Sequence, residues 1–145
     1  MTTWVVVADA SRARFFESRR RGQELIERDT LLHPESRLKT ADIMSDNEGT
    51  VMDRVGEGQR RSDPRINPQD AEMEKFAREV ASFLDKKRAL NEFDQLIIAA
   101  SPNFLGNLRQ RISDQVTKCV VDTLDKDYSR LPKEEIVQRL QQQLH

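Results

Sequence analysis

The sequence is poor in residues that staple a fold. Cys119 is the only cysteine, which excludes an internal disulfide. Beside it stand only His33 and His145, too few nitrogen and sulfur ligands for a standard zinc site, so no resident metal or cofactor is expected. Long apolar runs are missing too. The longest, such as Trp4 to Ala8 and Leu96 to Ala100, are about five residues, whereas a membrane-spanning helix needs about twenty. The start, Met1-Thr2-Thr3-Trp4, has no positive stretch like that of a signal peptide. A cytoplasmic protein with no membrane contact is the expectation. No sign of charge dominates: 24 basic and 25 acidic residues leave a net charge of -1. This excludes a chain held to nucleic acid by bulk charge and leaves local patches open. Apolar residues make up 37% and aromatics 6% of 145 residues, so one domain is expected, with part of the chain outside its core.

What is present reads as an alternation of short strands and helices. Trp4-Val5-Val6-Val7-Ala8 is apolar and mostly β-branched, the pattern of a strand buried on both faces. Ala13 to Ser18 and Glu24 to Leu32 read as two further strands, with a turn at Asp9-Ala10-Ser11 and a hairpin turn over Arg19 to Gly22. Together they make a meander. Residues 34–67 then mix acids, bases and Gly49, Gly56 and Gly58 with no period, which predicts a long mobile loop.

Asn67, Pro68 and Asp70 announce a helix start. Its apolar stripe runs through Met73, Phe76, Ala77, Val80, Phe83, Leu84 and Leu90, and it should end near Asn91. Gln95 to Ala100 reads as a second buried strand, which predicts that 96–100 lie parallel to and beside 4–8. Ser101-Pro102 opens a helix with Phe104, Leu105, Leu108 and Ile112 inward. Lys118 to Leu124 reads as the last strand. Pro132 opens a closing helix with Ile136, Val137, Leu140 and Leu144. The expected class is α/β: a mixed five-stranded sheet with flanking helices, in the ribonuclease-H-like arrangement.

Several stretches together carry a family resemblance. They are Trp4 to Phe16, with Asp9-Ala10-Ser11-Arg12-Ala13-Arg14; Gly56-Glu57-Gly58-Gln59-Arg60-Arg61; Phe76-Ala77-Arg78-Glu79; Leu96 to Arg109; and Leu124-Asp125-Lys126-Asp127-Tyr128-Ser129 followed by Pro132. In this order and spacing, over nearly the whole chain, they resemble the bacterial host attachment protein family. That family is similar in turn to the middle domain of eukaryotic and archaeal class-1 release factors and of Pelota, which has a ribonuclease-H-like sheet. The resemblance implies a binding role on the ribosome or tRNA. In release factors the loop before the long helix carries Gly-Gly-Gln; here Gly58-Gln59 stands at a comparable place, with Glu57 where the first glycine would be.

Gly58 and Gln59 are therefore the candidates for any hydrolysis of a tRNA ester, since small residues let a backbone N–H approach a crowded reacting group. The added side chain and charge of Glu57 weigh against that chemistry. Arg54, Arg60, Arg61 and Arg65 are candidates to meet RNA phosphates. Arg12, Arg14, Arg19, Arg20 and Arg21 form a rival basic patch, or a solvated hairpin balanced by Glu17, Glu24 and Glu27. Ser101, Asn103 and Arg109 mark a helix start that suits an anion, although Ser101 is equally a helix cap. Asp9 ends the first strand, where a ribonuclease-H-like nuclease holds a metal carboxylate; the plainer role is capping its own turn, with Asp122, Asp125 and Asp127 at an unknown distance. His33, after a strand, and His145, at the end, build no Ser/His/Asp arrangement. Cys119 reads as packed. Three functions follow: a non-catalytic module for ribosome or tRNA, a protein-interaction factor that supports attachment through a cytoplasmic partner, and a hydrolase.

Overall fold

The apolar run at the start forms the centre of the sheet. The computed structural model describes residues 1–33 and 68–143. Strand β1, Thr3–Asp9, is hydrogen-bonded on both sides and buried from Trp4 onward. It pairs antiparallel with β2, Arg12–Arg19, which pairs antiparallel with β3, Glu24–Leu32. On its other side it pairs parallel with β4, Gln95–Ala100: Trp4 lies opposite Leu96, Val6 opposite Ile98 and Ala8 opposite Ala100. Strand β5, Val120–Leu124, lies parallel to β4 and completes the order β3-β2-β1-β4-β5. The mixed five-stranded sheet, the meander and the parallel pairing of 4–8 with 96–100 all follow the sequence reading.

Side chains alternate across the sheet, so each strand feeds two cores. Trp4, Val6, Ala8, Phe15, Leu96 and Ile98 face helix α1, Pro68–Ala89, helix α2, Pro102–Arg111, and the short α3, Asp114–Cys119. Aromatic rings knit this side: Trp4 meets Phe93 at 5.3 Å, Phe15 meets Phe83 at 4.5 Å and Phe76 meets Phe104 at 5.7 Å between centroids. Val5, Val7, Phe16, Leu25 and Ala99 face helix α4, Lys133–Gln143, which buries Ile136 and Leu140. Among the described residues no helix is long and apolar enough to cross a membrane.

Three local expectations are corrected. Leu90 does not join the α1 stripe. The helix ends at Ala89, Asn91 turns the chain in the left-handed region at φ 62°, and Leu90 is 58% exposed. The last strand begins at Val120, because the residues before it form α3. That helix has one buried side chain, Val116, and so shows no period to read. Its start is fixed by Ser113, whose Oγ accepts from Val116 N at 3.1 Å and donates to Asp85 at 2.9 Å. Ser101 occupies the cap position of α2, but its hydroxyl makes no capping bond. The expected loop at 34–67, the cap Asn67 and Leu144 lie outside the described residues.

Candidate functional site

Parallel strands end together. The carboxyl ends of β1, β4 and β5 share one edge of the sheet, and β3 ends there as well because it is antiparallel to β2. This is the edge at which open α/β sheets hold ligands. The chain leaves the described fold here after His33 and re-enters at Pro68, the start of α1.

Asp9 organises this edge. It follows the last apolar residue of β1, and alternation turns it to the α4 side with Val5 and Val7. One carboxylate oxygen, Oδ1, accepts from Ser11 N at 2.9 Å, Ser11 Oγ at 3.2 Å and Arg12 N at 3.0 Å. Oδ2 accepts from Ser129 Oγ at 2.9 Å, with Arg130 Nε at 3.8 Å. The residue is only 8% exposed. The turn-capping role is therefore seen directly, and a second tie reaches across 120 residues of chain. The Ser129 hydroxyl, fully buried, also faces Asp127 Oδ1, which takes Ser129 N at 3.0 Å. One hydroxyl hydrogen serves both carboxylates in turn. Asp9 and Asp127 are thus brought together through Ser129, while Asp122 bonds its neighbour Thr123 N and Asp125 is exposed. Among the described residues no three His, Cys, Asp or Glu side chains converge as a cation would require.

The rival basic patch is divided. Arg12 and Arg19 stand at opposite ends of β2, about 23 Å apart at strand rise. Arg14 straps the sheet to the segment after β5: its Nη1 donates to Ser129 O at 3.3 Å and Leu131 O at 2.7 Å, its Nε meets Glu27 at 3.5 Å, and it lies over the Phe16 ring at 5.1 Å. Arg19 pairs with Glu17 at 3.2 Å. Arg20 and Arg21 form the turn, both at positive φ, with Gly22 following at φ 86°. Arg12 has a buried Nε with no acceptor among the described residues.

Ser101 and Asn103 are at the amino end of α2, where Ser101 N donates to Ala8 O at 3.3 Å. Arg109 is about 12 Å further along the helix, in its last turn, so the three do not form one anion site. Cys119 packs against the α1 side and its thiol reaches Gln115 O at 3.5 Å.

Sequence reasoning passed over His33. Its N–H donates to Ser11 O at 2.9 Å, its Nε2 meets Glu72 at 2.9 Å, and its ring stacks on Phe76 at 5.1 Å, all at 3% exposure. The available signal was Glu72 and Phe76 one turn apart on an otherwise regular helix. Gly58, Gln59, Arg54, Arg60, Arg61 and Arg65 lie outside the described residues.

Chemically, the edge described is a tied polar hub. Both oxygens of Asp9 are engaged, Ser129 is buried with its hydroxyl held between the Asp9 and Asp127 carboxylates, and His33 is closed in by Glu72 and Phe76. A family model described as protein required for attachment to host cells matches residues 4–140. No curated protein matches the chain.

Proposed function

The chain belongs to the family of proteins required for attachment to host cells, and from this premise we propose that it acts in the cytoplasm as a non-catalytic module that binds RNA phosphates, on the ribosome or on tRNA. The observation that carries the reading is where the arginine-bearing stretch is anchored. The stretch with Arg54, Arg60, Arg61 and Arg65 begins after His33 and ends at Pro68, both at the carboxyl edge of the sheet. The likeness of Gly58-Gln59 to the release-factor loop adds the ribosome as the site of action. The order β3-β2-β1-β4-β5 supports the ribonuclease-H-like arrangement that this likeness implies. Hydrolysis is disfavoured because Asp9 and Ser129 spend their hydrogen-bonding capacity on each other and on the Ser11 turn.

Co-sedimentation with ribosomes and filter binding to tRNA over a salt series test this. Binding is expected to weaken steeply with salt, and the slope of log affinity against log salt should fall by about two when Arg60 and Arg61 are both changed to alanine. Substituting Arg19 to Arg21 should leave the slope unchanged. Absence of association at low salt removes the RNA reading and leaves a protein partner as the route to attachment.

A further inference from the structure

Helix α1 turns one face toward the junction of α2 and α3. Arg78, Ala81, Ser82 and Asp85 recur along that face at helical spacing. With Arg111, in the last turn of α2, and Ser113, the cap of α3, they line an open hollow of about 350 Å³. Arg111 is held in place by its own helix: Nη1 donates to Asn107 O at 3.3 Å and to Gln110 Oε1 at 3.4 Å. Arg111 Nη2 at 3.5 Å and Arg78 Nη2 at 3.8 Å face one and the same oxygen, Glu74 Oε1. Both distances are those of ion pairs, too long for good hydrogen bonds. Two guanidinium groups, each with donors to spare, thus share one carboxylate oxygen. Asp85, the acid of the lining, is engaged elsewhere: Oδ1 accepts from Ser113 Oγ at 2.9 Å and faces Arg88 Nε at 4.0 Å. Among these groups Arg78, Arg88 and Arg111 outnumber Glu74 and Asp85, so the hollow carries an excess of positive charge.

We propose that this hollow binds a phosphate monoester, clamped between Arg78 and Arg111 with the exposed Ser82 hydroxyl as a third donor, and that Glu74 is the carboxylate it displaces. The planar fork of arginine offers phosphate oxygens two parallel N–H bonds, which a compact cation cannot. The donors come from two helices, an arrangement that suits a tetrahedral group better than a flat carboxylate with two oxygens. Near neutral pH a monoester carries close to two negative charges. That matches the two arginines once half-exposed Glu74 swings out to solvent. The volume is at the lower end for small-molecule pockets and takes a phosphate with a small organic body. Arg78 lies about 15 Å along α1 from Pro68 and the carboxyl edge of the sheet. The site is therefore separate from the Asp9 hub and does not depend on RNA binding.

The test titrates the full ¹⁵N-labelled chain with inorganic phosphate and with glycerol 3-phosphate, at about pH 7.5 and constant ionic strength. The comparators are acetate and the dinucleotide ApA, whose single phosphate is a diester. Both phosphates are expected to give saturable shifts of the Arg78 and Arg111 Nε–H signals and of the Ala81 and Ser82 amides. Arg78→Gln, at a position 64% exposed and so without consequence for folding, should weaken binding about tenfold, and Arg111→Gln at least as much. Glu74→Gln should tighten it about two- to fivefold, the size of the surface ion pairs it removes. A purely structural Glu74 gives no such gain. Shifts that do not saturate, undiminished binding to Arg78→Gln, or unchanged or weaker binding to Glu74→Gln would overturn the proposal. Equal binding of ApA would overturn it in favour of a nucleic-acid backbone, and equal binding of acetate in favour of an acidic side chain of a protein. Loss of ribosome and tRNA association leaves these readouts unchanged, so the two readings fail separately.

Discussion

At the scale of single residues, the carboxylate of Asp9 does most to join distant parts of the chain. Its turn bonds are local and follow from an acid two residues before a serine, a pairing that short-range stereochemistry favours. The bond to Ser129 has no such signal, because nothing in spacing links positions 120 residues apart. Changing Asp9 to asparagine puts an amide donor where Ser129 and Arg130 donate. It should cost about 1–3 kcal/mol, read as a lower urea midpoint at unchanged slope. Asp122→Asn, at an exposed position whose side chain bonds only its neighbour, should stay within about 0.5 kcal/mol. If Asp9→Asn is as stable as the parent, the carboxylate serves binding or chemistry and not the fold. His33 teaches the same lesson. A lone histidine after a strand looked uninformative until α1 brought Glu72 and Phe76 against it.

At the scale of elements, the start of α2 was readable, that of α3 was not, and the chemistry of neither cap was. Ser101 and Ser113 both precede helices, yet only the Ser113 hydroxyl caps one. Pro102 already lacks the N–H that an orphaned first turn would expose, so α2 needs less from its cap. Ser113→Ala should therefore cost about 1 kcal/mol, and slightly more through the lost bond to Asp85. Ser101→Ala should cost less than about 0.5 kcal/mol. Paired thermal unfolding curves decide this, and a reversed order would mean that Ser101 has a structural partner. The arginines of β2 show a second limit. Sequence proximity grouped Arg12 and Arg14 with Arg19 to Arg21, but an extended strand carries its two ends far apart, and Arg14 is committed to the segment 129–131.

For the whole molecule, protection should follow the order of strands. Strands β1 and β4 are paired on both sides and roofed by helices, whereas β3 and β5 are outermost and Val121 is 54% exposed. Native-state hydrogen exchange should find the slowest amides in 4–8 and 96–100, and fast ones along the outward edges of β3 and β5. Slow exchange across all of β5 would mean that its edge is covered in solution.

The architecture was legible in the sequence because burial on both faces demands continuous apolar runs. Two such runs joined through an amphipathic helix leave little choice but a parallel pair, and Glu24–Leu32 announced itself by its flanking turn. The candidate site was legible only one residue at a time. Asp9 and Ser101 were noticed, but which of them is tied, and to what, depends on side chains from separate elements meeting at one edge of the sheet. Local stereochemistry determines strands, helices and turns within a few residues. The meeting of Asp9 with Ser129, of His33 with Glu72 and of Leu25 on β3 with Ile136 and Leu140 of α4 was decided only by tertiary structure, because these contacts depend on how whole elements pack.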